Sequence, residues 1–142
     1  MHVSHLSRRS FIEAAALAAG GGETISIVLG TRPELYRRAL HTISRWDGDI
    51  ETLAAAEVPV HMAIGEDDDY YGSGSAREAY EEIRAAYRAR RLSVERVSEL
   101  VVLDVKPTSY FTERGFAADA GQHGAGGYLF ALDEDIMGWL FS

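Results

Sequence analysis

Apolar and polar positions along this chain change period several times, and each change marks the edge of an element. From Val58 to Ile64 the apolar positions are Val58, Val60, Met62, Ala63 and Ile64, and the run stops at Gly65. Short apolar runs that end on turn residues read as buried strands. Leu100 to Val105 (LVVLDV) is a second strand on the same grounds, and Ala39 to Ser44 (ALHTIS) a shorter one. Between them the period lengthens: Ala76, Ala79, Tyr80, Ile83 and Tyr87 share one face of a helix, with Arg and Glu opposite. Ser75 and Glu78 stand at capping-box spacing, so the helix is expected to start at Ser75. Ser93 caps a short helix over Val94 to Glu99, and Ile50 to Ala56 makes another after the turn at Trp46-Asp47-Gly48-Asp49. Pro107 to Tyr128, with glycines at 115, 121, 124, 126 and 127, is expected to be one long irregular loop. Loops of that length in a compact domain more often carry function than not. Asp133 to Phe141 closes the chain as an apolar helix.

This order implies an α/β fold of about three parallel strands with flanking helices. Parallel strands leave the loops that follow them on one edge of the sheet, where open α/β sheets keep their sites. The loop after the central strand begins Glu66-Asp67-Asp68-Asp69-Tyr70-Tyr71, and the loop after the last strand holds His123 within Gly121-Gln122-His123-Gly124. Adjacent acids repel one another and call for a nearby cation or hydrogen-bond donor. Asp68 and His123 are therefore expected to meet despite their separation in the chain. Tyr70, Tyr71 and Trp46 are candidates to line a substrate cleft.

The 142 residues make one domain by length, with a 46% apolar and 25% charged composition that suits a globular protein. A net charge of −8 argues against nucleic acid or an anionic membrane surface as partners. The absence of cysteine removes disulfides, thiolate metal sites and a cysteine nucleophile. No apolar run is long enough to span a membrane.

The N-terminus adds a different signal. Ser7-Arg8-Arg9-Ser10-Phe11-Ile12 fits the twin-arginine export pattern, and the Ala-rich run Ala14 to Ala19 follows it. Residues 1–19 are thus read as an export segment or N-terminal helix, and residues 20–142 as the folded domain. An exported chain would work in the periplasm or outside the cell, and a chain whose segment is not a signal would stay in the cytoplasm. After Gly20-Gly21-Gly22, the stretch Glu23 to Gly30 (ETISIVLG) resumes an apolar pattern, and Pro33 opens a helical turn.

At these residues the chain resembles the C-terminal half of an α/β-hydrolase, of the secreted or lipoprotein type near the prolyl-oligopeptidases and esterases. Gly65-Glu66-Asp67-Asp68 is similar to that family's G-x-x-D acid turn, Gln122-His123-Gly124 to its histidine loop, and Asp133-Glu134-Asp135 to the entry of its last helix. The resemblance covers about Gly20 to Phe141. It implies a serine esterase or peptidase chemistry with Asp68 as triad acid, His123 as general base, Gly20 or Gly21 as an oxyanion donor, no cofactor and no metal. The substrate would be a small ester or a peptide. The family's nucleophile elbow would fall just before Gly20, where Ala19 stands in place of a serine. The expectation is therefore a hydrolase remnant, export segment joined to back half, inactive by itself. Strands lacking their neighbours leave an apolar sheet edge, through which the chain would aggregate or form a homodimer.

Two other chemistries fit parts of the pattern. The run Glu66 to Asp69 offers oxygen ligands for a hard cation such as calcium, although consecutive acids lack the alternating spacing of an EF-hand loop. That would make the chain an exported, non-catalytic binding module. Zinc at His41, His61 and His123 is the other, but the first two fall inside expected strands.

Overall fold

The computed structural model describes residues 38–42 and 49–141. Three strands, β1 (Ala39–His41), β2 (Val60–Gly65) and β3 (Val101–Lys106), form one parallel sheet in the order β1-β2-β3. Helix α1 (Ile50–Ala55) joins the first two strands, and α2 (Gly74–Ala89) with α3 (Val94–Leu100) joins the second pair. Three helices follow the sheet: α4 (Thr108–Thr112), α5 (Gln122–Phe130) and α6 (Glu134–Phe141). The α/β architecture is thus present, with helices on both faces of a small parallel sheet. The expected export segment, Ala19, Gly20, Gly21, the Glu23–Gly30 stretch, the Pro33 turn and Trp46 lie outside the described residues.

Side chains alternate across the sheet, and this divides the core into two layers. Val60, Met62 and Ile64 of β2 join Val101 of β3 and the buried faces of α1, α2 and α3. Ala63 and Leu40 point the other way, into a cluster with Tyr110, Phe111, Ala125, Leu129, Phe130, Ile136 and Met137 from α4, α5 and α6. Both faces of β2 are covered, which is why its sequence is almost uniformly apolar. In α2 the buried positions are Ala76, Ala79, Ile83, Ala86 and Tyr87. The Tyr87 hydroxyl, deep under this layer, donates to the Val58 carbonyl and ties α2 to the entry of β2.

The starts of α1 and α3 follow local chemistry. Asp49 accepts from the Thr52 N–H at 3.0 Å, and Ser93 from the Arg96 N–H at 3.1 Å. The expected capping box at Ser75 and Glu78 does not form. The chain is already helical at Ser73 (φ −89°, ψ −7°), which caps α2 through its backbone position without a side-chain hydrogen bond. The tight turn from Asp68 to Gly72 delivers the chain to α2 before Ser75 is reached, closing with the Gly72 N–H on the Asp68 carbonyl at 2.8 Å.

The larger correction concerns Pro107 to Tyr128, which is not one irregular loop. It holds α4 and most of α5, leaving residues 113–121 between them. Glycine costs a helix up to about 1 kcal/mol per position relative to alanine, so Gly124, Gly126 and Gly127 hide the helix in the sequence. Packing reverses the preference: the Phe130 ring lies over Gly126, where a Cβ would come within 2.9 Å of it.

Ile83 is fully buried at the centre of the first layer. Truncating it in Ile83→Ala should lower unfolding free energy by about 2–5 kcal/mol in urea denaturation, whereas exposed Glu82→Ala should change it by less than about 0.5.

Candidate functional site

Both segments singled out for their chemistry leave the sheet at its C-terminal edge. The acid turn follows Gly65 at the end of β2, and the route from Lys106 at the end of β3 runs through α4 to the first turn of α5. The Glu66 N–H donates to the Lys106 carbonyl at 2.8 Å, so the two strands stay paired up to the point where the turn begins.

There the two segments meet. His123 Nδ1 lies 2.9 Å from Asp68 Oδ2, across 55 positions of sequence. Asp68 is a buried carboxylate, 6% exposed. Burying such a group is costly unless its oxygens find donors. Here its other oxygen, Oδ1, accepts the N–H groups of Tyr70 at 3.0 Å and Tyr71 at 2.9 Å. Those two donors and the imidazole face one carboxylate, so Nδ1 is the protonated nitrogen of the pair and Nε2 is left as the basic one. The Tyr70 ring packs 4.3 Å from the imidazole and the Tyr71 ring 6.2 Å, centroid to centroid. Both tyrosines are exposed, at 70% and 49%.

The acids on either side of Asp68 are Asp67 and Asp69. They are exposed, yet each is engaged. Asp69 Oδ1 accepts the His123 backbone N–H at 2.8 Å, which caps the N-terminus of α5 with a carboxylate from another segment. That N–H holds the Asp69 carboxyl below its ordinary range. Gly121, the residue before α5, must be small for this contact, because a Cβ there would come within 2.9 Å of Asp69 Oδ2. Asp67 Oδ2 accepts the Thr108 hydroxyl at 3.2 Å.

Gln122 and Thr108 were not identified as site residues from sequence, and both belong to it. Gln122 is buried beside Gly65, taking the Asp67 N–H on Oε1 at 2.9 Å and donating Nε2 to Thr108 Oγ1 at 2.9 Å. A glutamine beside a candidate histidine was the only sign in the sequence; nothing local marks Thr108.

The three histidines proposed for zinc do not converge. Paired residues of neighbouring parallel strands share a face, so His41, paired with Met62, lies on the first core layer. His61 lies on the opposite face and His123 at the sheet edge. Among the described residues, no group of three or more His, Asp or Glu side chains is arranged to hold a metal. His61 instead faces Asp104 of β3 at 3.3 Å, with the Trp139 ring 5.3 Å away and Lys106 on the same Asp104 oxygen at 2.9 Å. Burial opposes ionisation of Asp104, but the contacts with His61 and Lys106 outweigh it and keep its carboxyl below the ordinary range. This is a structural network under α6.

No protein-family model, no curated protein and no solved structure matches the chain.

Because the folded Asp69 carboxyl is depressed, its contribution to stability is complete above its unfolded value near pH 4 and is lost as pH falls through the folded value. Asp69→Asn keeps an acceptor for the His123 N–H and removes the titration. Its urea midpoint should therefore fall less than the wild type's between pH 5 and pH 2.5, measured by circular dichroism.

Proposed function

We propose that Asp68 and His123 form the acid–base half of a serine-hydrolase relay in an α/β-hydrolase-type fold, acting on a small ester or a peptide. The single observation that carries this is the 2.9 Å contact between His123 Nδ1 and a buried, doubly hydrogen-bonded Asp68, at the C-terminal edge of a parallel sheet. A carboxylate in that position orients the imidazole and stabilises the imidazolium that forms when Nε2 accepts a hydroxyl proton. Nε2 then returns the proton to the leaving group. Tyr70 and Tyr71 flank the imidazole and supply an apolar wall for the substrate.

The relay needs a hydroxyl nucleophile, and the sequence places Ala19 at the position where the resemblance calls for one. The chain on its own is therefore proposed to be catalytically silent, because it lacks the nucleophile that the relay would serve. Export by the twin-arginine route and self-association through the sheet edge belong to the same proposal. The cation-binding alternative has nothing in the geometry to favour it, since Asp67, Asp68 and Asp69 each turn an oxygen toward a protein donor. Among the described residues no helix is long and apolar enough to cross a membrane.

Fluorophosphonate labelling tests the relay. The unaltered chain should not label and Ala19→Ser should; adding His123→Ala to that variant should cut its labelling rate by about a thousandfold or more. A folded Ala19→Ser chain that stays unlabelled would sink the proposal. Sedimentation checks the edge: a concentration-dependent dimer is expected, and a monomer with a sharp, reversible melt would remove self-association.

A further inference from the structure

Gln122 makes contacts that a proton relay does not by itself require. Its side chain is 5% exposed, and both ends of its amide are used. The Asp67 N–H donates to Gln122 Oε1, Gln122 Nε2 donates to Thr108 Oγ1, and Thr108 Oγ1 donates to Asp67 Oδ2. These three bonds close a ring that joins the segments leaving β2 and β3 to the first turn of α5. Because Oε1 faces a backbone donor, the amide has only one orientation that satisfies its surroundings.

This ring stands next to the Asp68–His123 contact along both segments. Asp67 pairs with Gln122, Asp68 with His123, and the Asp69 carboxylate with the His123 backbone, so consecutive residues of one turn meet consecutive residues of the other. A side-chain contact alone fixes neither backbone, and an imidazole held by one hydrogen bond can swing about its side-chain torsions. Contacts on either side pin both backbones. Gly65 makes the inner one feasible: a Cβ there would lie 2.5 Å from Gln122 Oε1 and 2.8 Å from Gln122 Cβ.

We infer that Gln122 is a positioning residue, which through Asp67 and Thr108 sets the register between the acid turn and α5 and so holds Asp68 on His123 Nδ1. This deepens the relay reading and rests on it for its functional meaning, but the juxtaposition it explains can be measured without turnover.

The measurement is the exchange rate of the His123 Nδ1 proton by NMR in the full chain, set against global stability from urea unfolding of each variant. Gln122→Met keeps the length of the side chain and removes both hydrogen-bonding ends. It should speed exchange of that proton by about tenfold beyond what its change in global stability accounts for, the scale of one lost hydrogen bond. Gly65→Ala, which leaves Gln122 in the sequence but fills its seat, should do the same. Leu129→Ala, a cavity in the same core layer away from the ring, supplies the comparison for a purely structural loss, and its exchange should follow global stability alone. If Gln122→Met and Leu129→Ala fall on one line of exchange against stability, the positioning role is overturned. If Gln122→Met does not fold, Gly65→Ala decides between the same two outcomes. Failure of fluorophosphonate labelling alongside the expected exchange pattern would overturn the hydrolase reading and leave the positioning of His123 standing.

Discussion

Everything at the sheet's C-terminal edge depends on how one buried carboxylate is satisfied. Asp68 sits in the interior with three donors around it, two from its own turn and one from an imidazole far along the chain. A carboxylate in that position without its partners would cost several kcal/mol, so the turn and α5 are held to each other by the penalty for separating them. The Tyr70 and Tyr71 N–H groups make the turn a preformed cradle. The imidazole then completes the set.

The same meeting stabilises α5, which by composition is a poor helix. Three of its nine residues are glycine, and its first turn has no cap from its own side chains. Asp69 supplies that cap from across the edge, and Phe130, folded over Gly126, fixes the helix against Phe111 and Tyr110. The acid turn thus has two structural duties besides any chemical one: it caps the helix that carries the histidine, and through Asp67 it anchors the glutamine beside it. Stability and site geometry are coupled here, and substitutions in the turn will disturb both.

A second layer of polar contacts follows the sheet without joining the site. His61, Asp104 and Lys106 lie on the face covered by α6, and Lys106 also stands over the Tyr110 ring at 4.8 Å. Tyr110 in turn donates its hydroxyl to Asp133 at 2.7 Å, and Asp133 caps α6 through the N–H groups of Asp135 and Ile136. Burial, followed by the carboxylate beside it, pushes the Tyr110 hydroxyl well above its ordinary range. Polar groups admitted to this face are kept there by partners, as the cost of an unpaired buried group requires.

Much of this was legible in the residues themselves. The apolar pattern located β2, β3, α2 and the last helix: β2, covered on both faces, is almost uniformly apolar, β3 carries an apolar run interrupted at Asp104, and a helix buried on one face must repeat every three to four positions. Parallel order implied that the acid turn and the histidine would share an edge. What sequence could not supply was α5 itself, because glycine's local preference opposes helix and only Phe130, Asp69 and the second core layer override it. Nor could it reveal that Asp67, Asp69, Gln122 and Thr108 are partners. Hydrogen bonds between residues 54 or 55 positions apart leave no local period to read, and their pairing is decided only when the sheet brings its two exits together.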